Sequence, residues 1–292
     1  MIDYRINTFL AICKTMNFTK ASEILNITQP AVTKHIRSLE EYYKAPLFRH
    51  KGRSTELTEE GKILYEYAKK IEAQSLLVER RITNSLKIQK HYTIGATLTI
   101  GEYVLPSVLG RYKKLNSHID VTMHVFNTEI ISEMLINGEI DLGLVEGPFD
   151  MSKFCFEKFQ DDELVFAVSP QNRFSERTEV RMEEILESKL ILREDGSGTR
   201  KVLENKLLES GLKISSVRPF MEVGSIGAIK SLVELNLGCT IISKAAIQRE
   251  IASGSIVVIP IKDIRILRTF NFIYLKESPK EFIDSFIEYA KK

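Results

Sequence analysis

Along residues 1–58 the apolar positions come at helical spacing in three short bursts. Ile6, Phe9, Leu10, Ile12 and Cys13 share one broad face of a helix over Tyr4–Thr15. Ala21, Ile24 and Leu25 face inward on a second helix that opens at Phe18 with Thr19 as its N-cap. Asn26, Ile27 and Thr28 break the pattern. Thr28 can then cap a third helix from Gln29 to about Tyr43, with Pro30 in the first turn, where a missing N–H is harmless, and Val32, Ile36 and Leu39 toward the core. Pro46 stops this helix. Leu47 and Phe48, the basic run from Arg49 to Arg53, and then Thr55–Leu57 predict a two-stranded hairpin with a basic tip.

Thr58 caps a long helix expected to reach about Ile88, a rod of roughly 45 Å at 1.5 Å per residue. Leu64, Ala68, Ile71, Ser75, Val78, Ile82 and then Ser85 or Leu86 recur at alternating steps of four and three. That heptad-like seam, on a helix too long for a small domain, favours pairing with a second copy of itself. Beyond it, strand-like runs at Tyr92–Gly95, Val121–Val125, Asp141–Val145, Leu164–Val168, Leu190–Leu192, Cys239–Ile242 and Phe270–Tyr274 alternate with helical stretches. The helices are expected at Gly101–Leu115, Thr128–Asn137, Met182–Leu186, Thr199–Ser210, Ile226–Leu237, Ala245–Ile251 and Pro279–Ala290. This alternation predicts an α/β fold with largely parallel sheets.

Composition adds an asymmetry. Residues 1–90 hold 16 Lys and Arg against 10 Asp and Glu, whereas the remainder holds 25 against 29. A basic first third on a mildly acidic body points to a polyanionic partner for the first third; uneven surface charge is the plainer alternative. The three cysteines, Cys13, Cys155 and Cys239, are far apart and odd in number, which fits reduced thiols and offers no metal site. No apolar run is long enough to span a bilayer, and Asp3 and Arg5 stand where a signal peptide needs an apolar core, so a cytoplasmic protein without membrane contact is expected. Catalytic residues and a cofactor are not expected: nucleotide-binding glycine motifs, a nucleophile elbow and a zinc-protease helix are all missing, and the five histidines have no defensible ligand or triad spacing.

Three short helices followed by a basic hairpin are the parts of a winged helix-turn-helix, whose third helix enters the major groove. On that reading Gln29 can pair with adenine, Ala31 can meet a thymine methyl, and Thr28, Pro30, Thr33, Lys34 and Arg37 complete the face toward double-stranded DNA. Arg49, Lys51 and Arg53 on the hairpin suit backbone or minor-groove contacts. Each cation alone reads as ordinary solvated charge; their falling on one side of one fold favours DNA.

The run Phe18–Glu40 (FTKASEILNITQPAVTKHIRSLE), followed by Pro46-Leu47-Phe48 and Leu57–Gly61, resembles the N-terminal signature of the LysR-type transcriptional regulators. Lys44 stands where that family usually has glycine, and His50 where it has arginine. The resemblance implies a winged helix-turn-helix (residues 1–58), a dimerising linker helix (59–90) and an effector-binding domain similar to type 2 periplasmic binding proteins (91–292). The last would divide into one subdomain of about 91–161 and 265–292 and another of about 162–264, with hinge crossings near Gln160–Glu163 and Ile261–Arg265. It further implies a homodimer or homotetramer and leaves room for RNA polymerase as a partner. An architectural DNA binder without effector is the alternative; it would not need the α/β half.

Two glycine- and hydroxyl-rich turns before helices, Gly95–Gly101 and Arg193–Arg200, have the character of small-anion sites, since helix N-termini offer free N–H groups. Read alone, Thr97 can be a simple cap and Gly196-Ser197-Gly198 a tight turn. The resemblance sets these turns across an effector cleft, making Thr97, Leu98, Thr99, Gly196, Ser197, Gly198 and Thr199 the candidate effector residues, with Gly224 and Ser225 a third wall. Arg193 and Arg200 either meet the anion or pair with their acidic neighbours.

Overall fold

The computed structural model describes residues 2–51, 54–86, 89–212 and 219–292. The chain forms two compact units, residues 1–87 with 136–139, and residues 88–135 with 140–292. In the first, α1 (Tyr4–Thr15), α2 (Phe18–Leu25) and α3 (Gln29–Tyr43) bury Phe9, Ile12, Ala21, Val32, Ile36 and Leu39 together. Each helix starts on a side chain that accepts a backbone N–H its own turn leaves free. Asp3 takes that of Arg5 at 2.8 Å, Asn17 that of Lys20 at 3.0 Å and Thr28 that of Ala31 at 3.4 Å.

Two local expectations need correction. Asn17, in extended backbone, caps α2, so Thr19 lies inside the helix. Ile24, expected inward, is 62% exposed. The buried face of α2 runs through Ala21 and Ser22, flanked by Phe18 and Leu25, and Ile24 stands about 110° round the helix from its centre.

The hairpin pairs β1 (Phe48–Lys51) with β2 (Ser54–Leu57), Phe48 opposite Leu57. Thr58 then joins hairpin to helix α4 (Glu59–Leu86): its Oγ1 accepts the Gly61 N–H at 2.9 Å and donates to the Pro46 carbonyl at 2.6 Å. Leu64 and Ala68, placed by spacing on the pairing seam, turn instead into the core of α1–α3. The exposed apolar stripe of α4 starts on Ile63 and Tyr67 and runs on through Ile71, Val78, Ile82 and Leu86. The Ser85 side chain lies outside the described residues.

The second unit is built on one nine-stranded mixed sheet. Its strands are β3 (Lys90–Ala96), β4 (Ile119–Val125), β5 (Leu142–Val145), β6 (Cys155–Val168), β7 (Leu190–Leu192), β8 (Met221–Glu222), β9 (Cys239–Ser243), β10 (Val257–Ile259) and β11 (Ile266–Tyr274). The order is β4-β3-β5-β11-β6-β9-β7-β8, with β10 on β6. Pairing is parallel among β3, β4 and β5 and among β7, β8 and β9, but antiparallel wherever β6 or β11 takes part. The expected largely parallel sheet is therefore corrected: the two long strands that cross between the halves of the unit run against their neighbours. Two cores flank the crossing. One gathers Ile94, Tyr112, Leu142, Phe270, Phe282 and Phe286 in a first lobe, the other Phe166, Ile185, Leu203, Ile241 and Ile259 in a second.

Helices α5 (Leu105–Leu115), α6 (Thr128–Ile136) and α11 (Lys280–Ala290) belong to the first lobe; α7 (Met182–Leu186), α8 (Gly198–Glu209), α9 (Ile226–Glu234) and α10 (Gln248–Ser253) belong to the second.

Lys44 ends α3 in the left-handed region (φ 54°, ψ 35°), where a Cβ is crowded. Lys44→Gly is expected to stabilise this end of α3 by about 1 kcal/mol, read as roughly fivefold slower hydrogen exchange of the α3 amides. Unchanged exchange would show that the turn carries no strain.

Candidate functional site

On α3, the buried positions Val32, Ile36 and Leu39 leave Thr28, Gln29, Pro30, Lys34 and Arg37 exposed and Ala31 and Thr33 half-buried. Gln29 and Thr33, one turn apart, hold each other: the Gln29 Nε2 donates to the Thr33 hydroxyl at 3.4 Å, and that hydroxyl donates to the Gln29 carbonyl at 3.2 Å. His35, on the same helix, is structural. Its Nδ1 lies 2.9 Å from the Thr8 hydroxyl and its ring meets the edge of Tyr4 at 4.7 Å, fixing α3 on α1. On the hairpin, Arg49 pairs with Glu56 at 3.3 Å, so part of its charge is already answered. Arg53 and the side chains of His50 and Lys51 lie outside the described residues.

In the second unit the crossing strands carry a buried charge cluster. Arg268 on β11 is 6% exposed; its Nε donates to Asp162 of β6 at 2.7 Å, Nη1 to the Thr199 hydroxyl at 2.9 Å and Nη2 to the Thr99 hydroxyl at 3.3 Å. Asp162 also accepts the Ser243 hydroxyl at 2.8 Å and the Ala245 N–H at 3.3 Å. Glu146, just past β5 and 5% exposed, accepts Thr97 at 2.5 Å and Thr99 at 2.8 Å. One guanidinium thus ties the first lobe, the crossing and the second lobe together. Tyr103 of the first lobe packs into the second-lobe cluster around Ile226 and Ile229, with the Lys230 ammonium 4.5 Å from its ring centre; burial pushes the Tyr103 phenol up to about 12.

A cavity of about 250 Å³ opens beside the cluster, lined by Thr97, Leu98, Phe126, Asn127, Thr128 and Glu146 from the first lobe and Arg193, Glu194, Ser197, Gly198 and Gly224 from the second. The lobes touch beside it, where a Cβ on Gly147 would meet the Gly198 Cα at 3.3 Å. Of the nine candidate effector residues, Thr97, Leu98, Ser197, Gly198 and Gly224 line this space. Thr99 and Thr199 do not; they are consumed by Glu146 and Arg268. Gly196 forms the exposed turn at φ 83°, and the Ser225 hydroxyl caps α9 by accepting the Ala228 N–H at 3.2 Å. Both arginines are local ion pairs. Arg193 holds Glu194 with two bonds of 2.8 Å, and Arg200 holds Glu204 at 2.9 Å and Glu222 at 3.0 Å. Burial works against the Arg200 charge, yet those carboxylates hold its guanidinium above the ordinary arginine range.

Two hydroxyls in the cavity wall have no partner among the described residues: Ser197 Oγ, on a residue 4% exposed, and Thr128 Oγ1. Ser197 stands at the N-cap of α8 but does not cap it, so its oxygen is left for the cavity beside the free N–H groups of a twelve-residue helix. A larger, shallower groove of about 550 Å³ runs past Tyr103, Gln160 and Lys244, but none of its lining residues carries an unpartnered buried group.

A helix that exposes Gln29, Lys34 and Arg37, joined to a two-lobed domain with a polar cavity between its lobes, is the architecture of a transcriptional regulator with an effector-binding domain. The chain belongs to the LysR family of such regulators. Residues 4–62 match the description "Bacterial regulatory helix-turn-helix protein, lysR family" and residues 87–292 match "LysR substrate binding domain". A probable RuBisCO transcriptional regulator of Phaeodactylum tricornutum is 32% identical over 277 residues, covering 92% of this chain and 89% of the relative. Full-length CbnR complexed with its target DNA shares the fold at a TM-score of 0.70 and 17% identity, over 100% of this chain and 99% of the other. The regulatory domain of Synechocystis PCC6803 CcmR, solved in complex with 2-PG, does so at 0.62 and 24%, over 69% of this chain and 98% of the other. The family consists of regulators, not enzymes. Among the described residues no helix is long and apolar enough to cross a membrane.

The two kinds of buried polar group predict opposite stability effects. Arg268→Met strands Asp162 and should cost about 3–5 kcal/mol, with at least half recovered in Arg268→Met/Asp162→Asn. Ser197→Ala removes a hydroxyl that bonds nothing among the described residues and should be neutral or stabilising by up to about 1 kcal/mol. Denaturant unfolding of the variants checks both; a Ser197→Ala loss above that size would mean the hydroxyl has a structural partner.

Proposed function

We propose that the chain is a sequence-specific regulator of transcription in the cytoplasm, reading DNA with α3 and switched by a small anion bound between the lobes of its second unit. The observation that carries the switch is Ser197: a buried, unpartnered hydroxyl beside a helix N-terminus, facing a cavity walled by both lobes. Such a site favours negative charge. The complex of the CcmR regulatory domain with 2-PG supports ligand binding in this kind of domain, and the CbnR complex with DNA supports the DNA reading. An anion that touches both lobes acts by binding one arrangement of them better than another. The stripe Ile63, Tyr67, Ile71, Val78, Ile82 and Leu86 supports pairing of α4 with a second copy; a tetramer rests on the family resemblance.

Base readout by Gln29 and electrostatic support by Arg37 separate in a mobility-shift assay at fixed salt, using an operator from the DNA upstream of the gene and a random duplex. Gln29→Ala is expected to cost about 1–3 kcal/mol on the operator alone, and Arg37→Ala to weaken both duplexes alike. Equal losses on both for Gln29→Ala would remove it from the readout. Equal wild-type binding to both duplexes would replace the regulator by an architectural binder.

A further inference from the structure

We propose that the ligand between the lobes carries a hydrogen-bond donor, a hydroxyl or an ammonium, on the carbon next to its anionic group, and that Glu146 receives that donor. This rests on the anion-site reading above and narrows it to one class of small acid.

The charges around the cavity are unevenly answered. Asp162 is saturated by Arg268, Ser243 and the Ala245 N–H. Arg193 has its charge paired with Glu194 through two of its five N–H donors. Glu146 is different. Its side chain is 4% exposed, yet its nearest cation, Arg268 Nη1, stands at 3.7 Å, beyond hydrogen-bond length. Among the described residues only the Thr97 and Thr99 hydroxyls satisfy it, and an ionised carboxylate has about four acceptor positions. The Glu146 charge is answered by Arg268 at 3.7 Å, but its hydrogen bonds come from two hydroxyls alone, so acceptor positions remain open, and the residue forms part of the cavity wall.

A bare oxyanion on Ser197 would therefore face the carboxylates of Glu146 and Glu194, while the charges of Arg193 and Arg268 are already paired with carboxylates. A donor beside the anionic group turns Glu146 from a repelling neighbour into an accepting one. The spacing suits a short molecule, since Glu146 adjoins Gly147, Ser197 adjoins Gly198, and the two glycines touch. A cavity of about 250 Å³ holds an acid of a few carbons.

Isothermal titration calorimetry on the full chain tests this with matched probes: propionate, lactate and alanine; succinate, malate and aspartate; and inorganic phosphate. At least one hydroxy or amino acid is expected to bind about tenfold or more tightly than its unsubstituted parent, and Glu146→Gln to bring that preference within about twofold. Preference for lactate or malate assigns the donor to a hydroxyl; preference for alanine or aspartate assigns it to an ammonium. Phosphate or an unsubstituted acid binding as tightly as its substituted partner overturns the inference and leaves the anion site standing. So does a preference that survives Glu146→Gln. Binding by no probe, phosphate included, overturns the anion site and the inference together. If the Glu146 variant fails to fold, the wild-type series still tests the donor on the ligand, and absence of that preference overturns the inference.

Discussion

Arg268 imposes the constraint on which the second unit depends. A guanidinium removed from water is tolerable only when its donors are met and its charge is answered, and Arg268 meets this by reaching into both lobes from a strand that crosses between them. Its partner Asp162 lies on the other crossing strand, directly opposite it in the antiparallel pairing that runs from Tyr274 opposite Cys155 toward Ile266 opposite Leu164. The ion pair thus sits where the chain changes lobes. Its demand for hydroxyls shapes the cavity: Thr99 and Thr199 are drawn into it, and Ser197, one residue before the α8 start, is left over.

That division explains why the hydroxyl-rich turns are not equivalent. Both open helices or helical turns, and both contain two hydroxyl residues two positions apart, Thr97 and Thr99 in one and Ser197 and Thr199 in the other. Of these four only Ser197 keeps its oxygen free, because Glu146 lies close enough to take both threonines of the first turn, while Thr199 in the second is taken by Arg268. The wall of one lobe therefore presents the Glu146 carboxylate, and the wall of the other presents the Ser197 hydroxyl and the start of α8 beside Glu194. A ligand with a donor and an anionic end can satisfy both at once.

The fold was legible where local chemistry decided it. Thr28 with Pro30 marked the start of α3, and Pro46 with the basic run marked the hairpin, because caps and proline act over a few residues. Sequence reasoning lost the first half of β6, where Glu157, Lys158 and Asp161 dilute the alternation, and the short strands β8 and β10. It also passed over Arg268, Asp162 and Glu146, the residues that organise the cavity. A signal was present. Asp162 keeps step with Leu164, Phe166 and Val168 on the buried face of its strand, and Arg268 with Ile266, Phe270 and Phe272 on its own. Glu146 follows a fully buried strand at the carboxyl edge of a parallel pair, the edge where α/β folds bind ligands. A charge in phase with core residues needs a buried opposite charge. What remained out of reach is the identity of that partner, since residues 162 and 268 meet only through long-range strand pairing.

The same cluster bounds how the lobes can move. Parting them at the cavity would break the Arg268 bond to Thr199 and the contact of Gly147 with Gly198, because these pairs span the two lobes. It would spare the Arg268 pair with Asp162, because both residues ride on the crossing strands themselves. The ion pair would then lie on the axis of such a movement, while the threonine bond, the glycine contact and the Tyr103 packing would all be given up.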